Sequence, residues 1–176
     1  MRHSVVVCLF VLFAGLLPLV SASAGATSER VQVFGRWASS GTIIEVKAIG
    51  ETLSARLIAL KNPLYRDKDE FGPVGAEKRD DYNPDPALRS RPLLGVELLG
   101  QYEFVKGRWQ GKLYLPENGR TFTSRVGVDS KGRLKIRGYI GLPMLGKSKI
   151  FEPISDCNEN IRRMIELAQL KDSGCN

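Results

Sequence analysis

From Val31 onward, apolar side chains recur at every second position in short runs that close on Gly, Asn or Pro, the pattern of strands with one buried face. Val31, Val33, Gly35 and Trp37 share a face, with Gln32 and Arg36 opposite. Ile44, Val46 and Ala48 alternate with Glu45 and Lys47. After a turn at Gly50-Glu51, the run Leu53, Ala55, Leu57 and Ala59 alternates with Ser54 and Arg56, so the first three strands form a meander. Leu94, Val96 and Leu98 make a further face, continued by Tyr102 and Phe104 past a bend or tight turn at Gly100. Trp109, Gly111, Leu113 and Leu115 follow, then Phe122, Ser124, Val126 and Val128, then Leu134, Ile136, Gly138 and Ile140, with Lys147 to Phe151 as a last strand. The turns between them carry the chemistry turns require: Lys106-Gly107, Pro116-Glu117-Asn118-Gly119 and Ser130-Lys131-Gly132. About eight or nine short antiparallel strands joined mostly by tight turns predict an all-β fold, a sandwich or an up-and-down β-barrel. The barrel is preferred, because closure removes the exposed edges that such a meander otherwise leaves. Several inward positions are small, namely Ala55, Ala59, Gly111, Ser124 and Gly138. They fit either the taper of a filled barrel or an internal cavity.

Two segments interrupt the alternation. Lys61 to Pro92 is a charged, proline-rich loop far longer than a typical connection, the length of a lid or binding element. Near the C-terminus, Ile161, Met164, Ile165 and Ala168 fall at helical spacing, with Arg162, Arg163, Glu166 and Gln169 elsewhere on the wheel. Asp156 with Glu159 resembles an N-terminal capping pair, and Gly174 is a stop signal. This helix is expected to pack on the outside or across one end of the barrel; Arg162 and Arg163 alone make a thin basic face for a membrane surface. Cys157 and Cys175 flank it. An unbroken helix would hold them on the order of 25 Å apart, so a disulfide requires the helix to end near Leu170 and the tail to fold back. A free thiol or an interchain bridge are the alternatives.

Residues 1–24 read as a secretory leader, with a basic start at Arg2 and His3, an apolar run from Val5 to Val20, and the small-residue cleavage pattern Ala22-Ser23-Ala24. The expected mature chain has a barrel domain over 25–154, containing the long loop 61–92, and a helix and tail over 155–176. It is placed in the periplasm or outside the cell, where oxidising conditions favour the disulfide. Cys8 lies too early in the apolar run for a lipid-anchor site.

The leader changes the chemistry that remains. It carries the only His and, of the 26 Lys and Arg, only Arg2, so the mature chain falls from +7 to +6. Without histidine, Ser-His-Asp and Cys-His catalysis and the commonest metal ligand are excluded together. Two cysteines cannot complete a tetrahedral zinc site. Export removes nucleic acid as a partner for the basic surface, leaving anionic envelope components or solubility alone. No further apolar stretch is long enough to span a bilayer as a helix. Asp81-Tyr82-Asn83-Pro84-Asp85 has the spacing that opens a calcium loop, but Pro86 and Pro92 stand where such a loop needs Gly and Glu, which favours an Asx/Pro turn. Arg89 and Arg91 can clamp a carboxylate or phosphate, or pair with Asp80, Asp81 or Asp85. No Asp or Glu falls on an inward strand position, as glycoside hydrolysis would need. No cofactor or metal is implied.

Several stretches are similar to a known family. Asn83-Pro84-Asp85-Pro86-Ala87-Leu88-Arg89 followed by Arg91-Pro92-Leu93-Leu94-Gly95, then Trp109-Gln110-Gly111-Lys112-Leu113-Tyr114 and Pro116-Glu117-Asn118-Gly119-Arg120-Thr121-Phe122, and finally Lys135-Ile136-Arg137-Gly138-Tyr139-Ile140-Gly141 with Leu145-Gly146, resemble the secreted bacterial family called domain of unknown function 2147. The resemblance runs from about Gly35 to Phe151. It implies a lipocalin-like barrel, and Gly35-Arg36-Trp37 is similar to the Gly-x-Trp opening of such barrels; it implies no activity. Ile150-Phe151 stands where members of the family tend to carry Trp. The combined expectation is a non-enzymatic protein that holds a small apolar or amphipathic ligand, with the long loop as lid. The candidate ligand-binding residues are Trp37, Arg89, Arg91, Trp109, Tyr114, Arg137 and Tyr139. The opposing expectation is an envelope interaction protein that docks an anionic partner through its basic surface.

Overall fold

The computed structural model describes residues 30–171 and Cys175; the stretch expected to be a leader, residues 1–24, and Gly174 lie outside the described residues. Eight strands form a closed antiparallel barrel in chain order: β1 Gly35–Ala38, β2 Thr42–Ile49, β3 Thr52–Leu60, β4 Glu97–Val105, β5 Arg108–Leu115, β6 Arg120–Val128, β7 Leu134–Tyr139 and β8 Lys147–Pro153. Closure comes from pairing of β1 with β8, Trp37 opposite Pro153 and Ala38 opposite Glu152. The predicted lipocalin-like barrel is therefore the observed fold.

Up-and-down order places the hairpin turns alternately at the two ends, and the ends differ. Gly50-Glu51, Lys106-Gly107 and residues 129–133 close one end tightly. At Lys106-Gly107 both residues have positive φ, 50° and 76°, the geometry whose twist matches a two-residue hairpin. The opposite end carries residues 39–41, 61–96, 116–119 and 140–146, the longest connections, 61–96 and 140–146, among them.

The tight end is filled. Trp37, Val46, Leu53, Tyr102, Trp109, Val126 and Leu134 are buried in one cluster. Residues 30–34 plug it from below instead of extending β1, so Val33 is buried and Val31 exposed, against the strand expected from Val31. The Trp37 indole donates to the Val33 carbonyl (2.9 Å) and the Trp109 indole to that of Arg30 (3.1 Å), which satisfies both buried N–H groups. Phe34 and Phe104 meet Trp109 edge-on, at 5.9 and 5.3 Å between centroids.

Two bulges move residues off their expected faces. Ile43 pairs with Ala59 but Ile44 with Leu57, so Ile58 is extra and Ala59 turns outward. In β4, Gln101 takes positive φ (56°) where Gly100 pairs with Lys112 and Glu103 with Gln110. Leu99, Tyr102 and Phe104 consequently share the core; Leu98 is only partly buried and Leu94 is exposed, outside the strand.

Helix α1, Glu159–Leu167, packs on the barrel's outside, where Ile161 and Met164 meet Ala38, Ile43 and Ala59. Its cap is Asn158, whose side chain accepts from the Ile161 N–H (3.0 Å); Asp156 belongs to a preceding 3-10 turn, so the predicted Asp156 and Glu159 pair does not form. Gln169 at φ 50° ends the helix, and the tail returns to a Cys157–Cys175 disulfide with Cα atoms 5.4 Å apart. No helix among the described residues is long and apolar enough to cross a membrane.

Candidate ligand cavity at the open end

The small inward positions divide the barrel into a filled half and a hollow half. A Cβ on Gly111 would lie 2.5 Å from the Tyr102 ring, so its absence lets that ring into the core, where the phenol bonds Ser124. Burial pushes the Tyr102 phenol well above its ordinary pKa, which keeps it a neutral donor. Gly138 lies toward the other end and fronts a cavity of about 1100 Å³. Ile44, Leu57, Leu99, Leu113, Phe122, Ile136 and Phe151 form its apolar wall. Both explanations of the small residues thus hold, each in its own half.

The rim is charged. Lys68, Asp69, Glu70, Lys78, Arg79, Asp81 and Glu117 come from the loops, and Lys147 and Lys149 from β8. The loop acids are mostly taken. Asp69 pairs with Lys78 (3.1 Å) and Arg66 (3.7 Å), and donation from the Arg66 backbone N–H, helped by Lys78, holds its carboxyl below the usual range. Glu70 accepts from the Tyr82 hydroxyl (2.7 Å) and Asp81 from that of Tyr65 (2.5 Å). Among the described residues no ion pair forms at Lys68, Arg79, Lys147 or Lys149.

Register decides where the β8 lysines stand. Phe151 pairs with Leu134, Lys149 with Ile136 and Lys147 with Gly138, all three partners on the inward face of β7. Strand alternation therefore sets both lysines on the inward face, in line with Phe151, whose ring lies 5.3 Å from the Lys149 ammonium. Period-two reading of Lys147, Lys149 and Phe151 carries this signal in the sequence.

The long connection, residues 61–96, is built over the cavity and held by one buried acid. Asp80 is fully buried; its Oδ1 accepts from the Tyr114 hydroxyl (2.6 Å), and its Oδ2 from Asn83 Nδ2 (2.7 Å) and from Arg91 Nε (3.0 Å) and Nη2 (2.7 Å). Tyr114 is held protonated by burial and by donation to Asp80, which raise its pKa. Asn83 Oδ1 accepts from the Asp85 N–H, Asp85 Oδ1 from that of Ala87, and Arg89 donates to the Asn83 carbonyl. The calcium-like spacing is thus a chain of Asx turns. Gly119 in the β5–β6 turn sits where a Cβ would meet the Tyr82 carbonyl at 1.8 Å, so strand turn and loop are in close contact.

Of the seven candidate binding residues, Tyr139 alone lines the cavity. Trp37 and Trp109 belong to the filled end. Arg89, Arg91 and Tyr114 fasten the long loop. Arg137 binds the carbonyls of Pro143 (2.8 Å) and Met144 (2.9 Å) and the Ser148 hydroxyl, holding the β7–β8 loop.

This barrel, with its long loop fixed around Asp80 by Asn83, Arg91 and Tyr114, can be set beside known proteins. A bacterial family described as "Uncharacterized protein conserved in bacteria (DUF2147)" matches residues 35–152. The chain belongs to that family. Among solved structures, protein HP1028 from the human pathogen Helicobacter pylori, described as belonging to the lipocalin family, is similar with 23% identity and a TM-score of 0.54 over 81% of this chain and 94% of that one. No curated protein matches by sequence. The disulfide and the bacterial family are both consistent with a place outside the cytoplasm.

Proposed function

We propose that this member of the family binds, rather than transforms, a small amphipathic molecule whose apolar body fills the open half of the barrel and whose acidic end meets Lys147 and Lys149. The observation that carries the reading is the inward face of β8, where two lysines without acidic partners stand beside an apolar cavity of about 1100 Å³. That volume is at the upper end of ligand pockets, which typically run about 300–1,000 Å³. Displacing water with an uncharged chain would strip the ammonium groups of solvent without compensation, whereas a carboxylate or phosphate end supplies it. The likeness to a lipocalin-family protein and the lid-like loop support the same reading.

The test is displacement of a fluorescent apolar probe from the purified protein by a long-chain carboxylate and by the alcohol of equal length. The carboxylate should compete at least tenfold better, and Lys147→Met with Lys149→Met should erase that difference. Gly138→Leu should exclude probe and ligand alike while leaving the barrel folded, since the nearest atoms to a Cβ there belong to the Leu113 and Phe122 side chains, not to backbone. Probe binding that survives Gly138→Leu unchanged would refute the cavity as the site.

A further inference from the structure

The β7–β8 connection presents large apolar side chains to water. Ile140 is 74% exposed, Leu142 60%, Met144 78% and Leu145 77%, and three of these exceed every other large apolar residue described. A run of that kind at one tip is unlike the singly scattered apolar residues of ordinary surfaces. Nor is it a loose end. The 3-10 turn Pro143–Leu145 bonds Leu145 N–H to the Leu142 carbonyl (3.1 Å) and Gly146 N–H to that of Pro143 (3.2 Å). Arg137 occupies the Pro143 and Met144 carbonyls from within the protein. The turn and Arg137 thus satisfy the Leu145 and Gly146 N–H groups and the Leu142, Pro143 and Met144 carbonyls, which lowers the cost of taking this backbone out of water.

Charge and position narrow the occupant. From Gly138 to Gly146 no residue is ionisable apart from the phenol of Tyr139, while Lys135 and Arg137 precede the segment and Lys147 and Lys149 follow it. Ile140, Leu145, Gly146 and Lys147 also border the cavity, whose rim adds Lys68 and Arg79, which form no ion pair among the described residues, beside the acids Asp69, Glu70, Asp81 and Glu117. An apolar tip flanked along the chain by Lys135, Arg137, Lys147 and Lys149 complements a surface with anionic groups outside and hydrocarbon beneath.

We infer that the β7–β8 loop is a docking tip for an anionic lipid surface, with Leu142, Met144 and Leu145 entering the acyl boundary and the rim cations meeting the headgroups. Docked this way, the mouth of the cavity opens onto the membrane. The inference goes beyond ligand binding and stands or falls separately from it.

The experiment is co-sedimentation of the purified protein with vesicles of phosphatidylglycerol and phosphatidylcholine in equal parts, and with phosphatidylcholine alone. Wild type should partition onto the mixed vesicles at least tenfold more strongly than onto the neutral ones, and less as salt rises. The double substitution Leu142→Ser and Met144→Ser should lower that partitioning at least tenfold. Both positions are exposed, so the thermal midpoint and binding of the apolar probe should not change. Equal partitioning of wild type and variant overturns the inference. So does absence of wild-type binding to mixed vesicles, and if the variant then abolishes a concentration-dependent self-association, the tip is a protein interface instead.

Discussion

Removing the Asp80 carboxylate should free the long loop while leaving the barrel standing. In Asp80→Ala four hydrogen bonds vanish, two of them charge-assisted from Arg91, and the Tyr114 hydroxyl and Asn83 amide lose their shared acceptor. Breaking a buried ion pair on one side costs about 3–5 kcal/mol. Arg91 is 37% exposed and regains water, so the lower end applies, about 3 kcal/mol. Because Asp80 fastens residues 61–96 to β5 and contributes nothing to the filled core, that cost should appear as local opening. Amide hydrogen exchange reads it directly. The N–H groups of Asp80, Asn83 and Leu93, bonded to the carbonyls of Arg91, Asp80 and Lys78, should exchange about a hundredfold faster, at about 1.4 kcal/mol per tenfold. Amides of β6 and β7 at the filled end should not change. Loop protection within threefold of wild type would refute the role given to Asp80; equal acceleration at the filled end would show that the loop and the barrel core open as one unit.

Two other perturbations test separate parts of the molecule. Opening the 18-residue span by Cys157→Ser with Cys175→Ser should lower stability by about 3 kcal/mol on chain-entropy grounds, read as a lower denaturant midpoint; a midpoint equal to wild type would refute a contribution from the bridge. In the β6–β7 turn, Asp129 is held down to about 2 from 3.8, first by the Arg133 side chain. A depressed folded pKa stabilises above the unfolded value and loses that contribution as pH falls through the folded one. Arg133→Gln should therefore be less stable than wild type above pH 4, with the gap closing toward pH 2; a gap constant over that range would show that Asp129 is not the group involved.

Period-two alternation made the barrel legible, because one buried face per strand is written residue by residue in runs such as Ile44 to Ala48 and Trp109 to Leu115. The misassigned residues follow extra residues in the ladder. Ile58 and Gln101 each displace one position, and nothing in their side chains announces it; Ala59 changed face for that reason, and Leu99 joined Tyr102 in the core. Val31 failed for another reason, since residues 30–34 fold under the barrel to meet the two indoles, a tertiary demand that outweighs local alternation. The site was harder to see. Asp80 stands in the sequence as one of three acids open to Arg91, and the pairing forms; what the charged loop does not announce is that Asp80 is fully buried and anchors it. Apart from Tyr139, which lines the cavity, the candidate arginines and aromatics sit in pins and plugs. In Lys147 to Phe151 the cations mask the inward face, and only their alignment with Phe151 sets them on it, where both remain exposed at the cavity's open mouth.

The split between a packed half and a hollow half separates two kinds of selection along a single chain. Side chains around Trp109 and Tyr102 are constrained by volume, since each fills space that its neighbours define. Those around Gly138 face emptiness, and their size and polarity can drift without loosening the core. Related barrels should therefore diverge fastest in the strand halves nearest residues 116–119 and 140–146, where a few exchanges on fixed ladders would retune what the chamber admits.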